Sequence, residues 1–183
     1  MHIDRNPSTV MTVIDRIYNP IAQKLGVLLL MRNEINTEIQ FPPRFFINVI
    51  QITGNLVANA IKFTSPSGFV DVVFKVGAEN DHSTLKITVT DTGKIISPEL
   101  VEAINRRKQV ATVMGADVEE SFGARLEYVM QLLSEESGRI IVKSGKESGT
   151  IFSLSLPLPN NFKNRMNGFH TIVENGAVSL NGS

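Results

Sequence analysis

The stretch QITGNLVANAIKFT, residues 51–64, decides the fold. At roughly 100° per residue, Gln51, Asn55, Asn59 and Lys62 fall within about an 80° arc of a helix surface. The rest of the circumference is apolar: Phe46, Val49, Ile50, Ile52, Leu56, Val57, Ala60, Ile61 and Phe63. Such a helix is buried almost all round, and its one polar stripe carries three amides and a lysine. A solvated stripe would use Glu, Lys and Arg, which favour helices more than Asn does. Buried amides without partners cost free energy, so the stripe either closes a polar network inside the core or faces a ligand. An amide oxygen can hold a hard cation and an ammonium can hold phosphate, which together suit a metal-nucleotide.

Working outward, Pro43 predicts the start of this helix and SPSG its end, so it spans 43–63. Upstream, apolar spacing predicts a helix over 7–25, capped by Ser8 or Thr9, bent or shortened by Pro20 and stopped by Gly26. VLLLM (27–31) reads as a buried strand with EIQF (38–41) as a short partner. Downstream, FVDVVFKV and LKITVTD read as strands joined by the polar loop GAENDHST (77–84), with His82 in that loop. Helices are predicted near 98–107 and 122–135, and RIIVKS (139–144) with GTIFSLSLPL forms a terminal hairpin. Runs of helices and hairpin-linked strands imply an α+β fold, a two-layer α/β sandwich with helices on one face of a mixed sheet. Residues 1–159 form one domain. From 160 to 183 the chain is rich in Asn and Gly and reads as a flexible tail or linker.

The 183 residues carry 18 basic and 18 acidic side chains, so no overall field recommends nucleic acid or a membrane surface. Cysteine is absent, which removes disulfides, thiol nucleophiles and cysteine metal sites. No apolar run approaches a membrane span, and MHIDRNPSTV lacks a signal-peptide core. The expectation is a soluble, cytoplasmic piece of a larger protein. His2, His82 and His170 pair with no acids at metal or triad spacing.

NLVANAIKFT resembles the N box of the ATP-binding catalytic domain of sensor histidine kinases, in the superfamily shared with gyrase, Hsp90 and MutL, whose fold is the Bergerat sandwich. The resemblance implies that Asn59 holds Mg2+ bridging the nucleotide phosphates and that Lys62 contacts phosphate, with Asn55 and Gln51 as supporting polar groups. Relatives that hydrolyse ATP carry a glutamate at position 51; an amide there is a poor base for water. DTG (91–93) resembles the first half of the family's G1 box, which implies Asp91 as acceptor of the adenine amine and Gly93 as a close-approach residue. FGARLEYVMQLL resembles the G2 box, with Gly123 as its first glycine in a turn opening a phosphate-cradling helix. Both boxes depart from the pattern, since Ile95 and Arg125 stand at the second glycines; Arg125 could still bind phosphate by its side chain from further out, and a positive φ at either position would strain these residues. The segment between the boxes takes the place of an ATP lid, with Arg106, Arg107 and Lys108 as candidate phosphate ligands.

The resemblance covers about residues 7–159 and implies a domain that binds ATP and Mg2+ and supplies the γ-phosphoryl group to a histidine. That histidine would lie on a separate helical dimerisation domain, with a response regulator downstream. The chain alone is then not expected to be an active enzyme. The alternative is a degenerate relative that binds ATP weakly or not at all and serves as a protein-interaction scaffold. A third is an unrelated two-layer domain with a structural Asn pair.

Overall fold

The computed structural model describes residues 4–79, 82–106, 120–145 and 149–159. The elements are α1 (Pro7–Lys24), β1 (Leu28–Asn33), α2 (Pro43–Phe63), β2 (Phe69–Glu79), β3 (His82–Asp91) and α3 (Pro98–Asn105). Then follow the helix Glu120–Glu135, here α4, and the strands β4 (Arg139–Ser144) and β5 (Thr150–Pro157). The sheet order is β1-β2-β3-β5-β4. β1 pairs with β2 in parallel, and the other pairs are antiparallel. A parallel neighbour needs a crossover, and α2 supplies it between β1 and β2. The result is the expected mixed-sheet α+β sandwich.

Strand alternation sorts the sheet into two faces. Leu29, Val70, Val72, Phe74, Leu85, Ile87, Val89, Phe152, Leu154, Ile140 and Val142 share one face and are buried. Against them α2 lays Ile52, Leu56, Val57, Ala60 and Ile61, all buried, flanked by α1 through Val10 and Ile14 and by α4 through Leu126 and Val129. Each such side chain contributes about 1.5–3 kcal/mol on burial, so this layer dominates the stability. The opposite face carries Lys75, Lys86, Lys143 and Ser153 together with exposed Leu28, Ile141 and Ile151. Among the described residues no helix is long and apolar enough to cross a membrane.

Four expectations are corrected. The cap of α1 is Asn6, whose Oδ1 accepts the Thr9 N–H at 2.8 Å, and not Ser8 or Thr9; Pro7 then takes the first helical position, where a missing N–H costs nothing. Pro20 does not shorten α1, which continues to Lys24, because a proline in the last turns removes a single helical bond. EIQF is outside the sheet: Ile39 and Phe41 are buried as alternation requires, but the Phe41 N–H donates to the Arg5 carbonyl at 2.6 Å and its carbonyl accepts from Arg5 Nε at 3.1 Å. The polar loop 77–84 is mostly strand, with Glu79 opposite His82. Lys86 and Ser155 hold the Glu79 carboxylate at 3.1 Å each, so cross-strand partners carry the ladder past the apolar run and put His82 at the start of β3. Residues 160–183, with His170, and also His2, Arg107 and Lys108, lie outside the described residues.

Candidate functional site

Asp91 ends β3 on the buried face, opposite Val70 on one side and Thr150 on the other. Asn59 lies on the turn of α2 that crosses this end of the sheet. Together they line a cavity of roughly 310 Å³, completed by Ala60, Phe63, Lys94, Ile96, Leu100 and Phe152 among others. That volume is of the order of small-molecule sites, and a mostly apolar lining with a few convergent polar groups is their usual character.

The Asn59 side chain is only 2% exposed, and neither its Oδ1 nor its Nδ2 finds a hydrogen-bond partner among the described residues. A buried amide left in this state costs about 1–3 kcal/mol per unmet group, which a core network would not tolerate. Asn55 behaves differently. Its Nδ2 donates back to the Gln51 carbonyl at 2.8 Å, and Gln51 Oε1 accepts the Tyr128 hydroxyl at 3.0 Å. Asn55 and Gln51 therefore satisfy the structural reading of the stripe, and Asn59 does not. Its two orphan atoms suit an oxygen ligand for a hard cation and a donor for phosphate or ribose oxygens.

Asp91 is 6% exposed. Its Oδ1 accepts the Gly93 N–H at 2.8 Å. Burial lifts its pKa from 3.8 to about 6, opposed by the backbone N–H groups of Gly93 and Thr150, which stabilise the charge. Thr150 Oγ1, beside it, is buried and finds no hydrogen-bond partner among the described residues. An acceptor and a hydroxyl set side by side at the end of an apolar slot can read the amine edge of a heterocycle.

Gly93 meets the end of α2 closely. A Cβ there would stand 2.5 Å from the Phe63 carbonyl oxygen, so the close approach is to the end of α2. The Lys94 N–H donates to that same oxygen at 3.1 Å, and the Gly149 N–H, from a glycine at φ +86°, donates to the Gly93 carbonyl at 2.8 Å. Ile95, 51% exposed, stands at the rim of the cavity. Among the described residues only Ser67 and Ser137 are non-glycines at positive φ, so neither Ile95 nor Arg125 is strained. Changing both to glycine is accordingly expected to leave nucleotide affinity no tighter, as read by titration; a clear gain would show that the side chains obstruct the site.

The remaining candidates lie further out. Lys62 is exposed on α2, its Nζ 5.6 Å from the centroid of the Phe63 ring that lines the cavity. Gly123 is buried in the first described turn of α4, and Arg125 is exposed on that helix. Arg106 pairs with Glu102 one helical turn away at 3.1 Å. Sequence reasoning passed over Thr150, Lys94 and Leu100. For Lys94 the signal was present, since it follows DTG directly; Thr150 and Leu100 are brought in by sheet register and helix placement.

A family model described as histidine kinase-, DNA gyrase B- and HSP90-like ATPase matches residues 47–160. The chain is 32% identical over 157 residues to the autoinducer 2 sensor kinase/phosphatase LuxQ of Vibrio vulnificus, covering 85% of this chain and 18% of LuxQ. It is 36% identical over 109 residues to the histidine protein kinase DivJ of Caulobacter vibrioides, covering 59% of this chain and 17% of DivJ. The chain thus spans less than a fifth of the length of these relatives. The catalytic domain of histidine kinase ThkA matches its fold with a TM-score of 0.62 at 17% identity, over 82% of this chain and 91% of that one. With this family match over the very helix and strands that build the cavity, the chain belongs to the histidine kinase-, DNA gyrase B- and HSP90-like ATPases, as an ATP-binding catalytic domain of the sensor histidine kinase type.

Proposed function

We propose that this domain binds ATP with Mg2+ in the cavity between α2 and β3 and presents its γ-phosphoryl group to a histidine carried on a separate helical domain. The observation that carries this reading is the orphan Asn59 amide facing the same cavity as the Asp91 carboxylate. Asp91 accepts the adenine amine, with the Thr150 hydroxyl beside it. Asn59 Oδ1 is the protein oxygen for Mg2+. A cation here would take one protein oxygen, the rest of its ligands coming from the nucleotide's phosphates and water. When bound, Mg2+ neutralises phosphate charge. Lys94, in the cavity lining, and Lys62, beside the Phe63 ring, are the sources of further positive charge there.

Phosphoryl transfer rests mainly on positioning and electrostatics, and an imidazole acceptor needs no base from this domain. Gln51 fits that division of labour, since its amide is held by Tyr128 and takes no proton from water. The assembled protein would act in the cytoplasm with a dimerisation domain and a response regulator; the relatives it matches are named as a sensor kinase/phosphatase and a histidine protein kinase.

Calorimetric titration with Mg-ATP tests the reading. Saturable binding that requires Mg2+ is expected, and Asn59→Ala should weaken it by at least about tenfold, or 1.4 kcal/mol. The same variant should unfold no more easily than the parent, because it removes two unpaired buried atoms and is the better helix former by about 0.5 kcal/mol. No uptake of millimolar Mg-ATP by the parent, or full affinity in the variant, would reject the site.

A further inference from the structure

β4 is an outer strand, bonded to β5 on one side only, so the polar groups along its other side need partners. Val142 finds both of its partners in one side chain. The Asn105 carboxamide accepts the Val142 N–H at 2.7 Å and donates Nδ2 to the Val142 carbonyl at 3.0 Å. These are the two bonds that a neighbouring strand would exchange with this residue, and only a carboxamide offers donor and acceptor so placed.

Asn105 is the last residue of α3, and Leu100 of that helix lines the nucleotide cavity together with Ser97 at its cap. One alternation further along the same strand, Ser144 Oγ accepts the N–H of Ile96, which also lines the cavity, at 3.0 Å. The segment from Ile96 to Asn105 is thus fastened at both ends to the outer edge of the sheet. Between the fasteners, buried Leu100, Ala103 and Ile104 supply apolar contact, which is non-directional and sets no register by itself. The two polar fasteners set it.

We infer that Asn105 and Ser144 are positioning residues for nucleotide binding: their bonds to Val142 and Ile96 hold the α3 wall of the cavity at a fixed distance from Asp91 and Asn59. The inference rests on the reading of this cavity as the ATP site. Aspartate at 105 would still accept the Val142 N–H but would set a negative charge against the Val142 carbonyl. Leucine, of similar size, would leave both backbone groups unpaired.

The test uses the whole 183-residue chain. Amide hydrogen exchange without nucleotide and titration with a fluorescent ATP analogue are measured for the parent, Asn105→Leu, Asn105→Asp, Ser144→Ala and Ser144→Thr. Both Asn105 variants are expected to exchange the α3 amides about tenfold faster or more while α2 is unchanged, since local opening is separable from global unfolding. Their nucleotide affinity should fall about tenfold. Ser144→Ala should lose affinity and Ser144→Thr, which keeps the hydroxyl, should not. Unchanged α3 protection overturns the inference, and so does faster exchange with parental affinity, or a Ser144→Thr protein that behaves like Ser144→Ala. A parent that takes up no analogue counts instead against the ATP reading, while the exchange data still decide whether the fasteners hold α3.

Discussion

Asp91→Asn is expected to weaken nucleotide binding on the order of a hundredfold while making the domain more stable above pH 6. The asparagine keeps an oxygen for the Gly93 N–H, which Asp91 now accepts at 2.8 Å, so the turn survives. What changes is the edge facing the cavity, where an NH2 would meet the adenine amine donor to donor. Losing a hydrogen bond to a charged acceptor and gaining an unpaired donor removes about 2–3 kcal/mol, on the order of a hundredfold in affinity.

The stability gain follows from the sign of the pKa shift. An acid raised from 3.8 to about 6 by burial binds its proton more tightly in the folded protein than in the unfolded chain. The charged form therefore opposes folding. That penalty is absent below about pH 4, grows between pH 4 and 6, and is complete above 6. At 1.4 kcal/mol per unit, and reduced for partial screening by solvent, it amounts to about 2 kcal/mol. Urea unfolding at pH 8 should show the variant more stable by that order, and at pH 4 the two should unfold alike. For the parent, ATP affinity should fall as pH drops through 6 and the acceptor is protonated. Equal stabilities at pH 8, or a variant that binds ATP normally, would contradict the assignment.

Gly93→Ala should be worse for the protein as a whole. The added methyl would lie 2.5 Å from the Phe63 oxygen, 2.8 Å from its carbonyl carbon and 2.9 Å from Asp91 Oδ1. Two of these atoms are backbone at the end of α2, fixed further by the Lys94 N–H. Nothing flexible is available to give way. Separating α2 from the β3 end breaks the packing that brings Asn59 to Asp91, with a cost of about 3 kcal/mol or more. Thermal unfolding should show the loss and titration should show no binding; a variant with parental melting temperature would mean that this approach is looser than described.

The helical stripe was the most legible part of the chain. Pro43, the apolar spacing and SPSG mark α2 at Pro43–Phe63, and RIIVKS marks β4 at Arg139–Ser144, because local signals and tertiary context agree there. The distinction between Asn55 and Asn59 came only from the family resemblance, since the two share a face and a residue type. Only the positions of neighbouring elements show that one amide bonds its own helix and the other does not. Thr150 was hidden for the same reason: it reaches the site through register with Asp91 across β3 and β5. At Gly93 the crowding that the sequence does not reveal is with the backbone at the end of α2, and Ile95 carries no positive φ.

The bond from Gly149 to Gly93 has a consequence for how a ligand would be chosen. It stitches the loop after β3 to the residue just before β5, so Asp91, the proposed acceptor for the base, sits in a floor braced by two strands and the end of a helix. A floor of that kind does not adapt. For the proposed nucleotide, discrimination between purines would then rest on fit at this braced end.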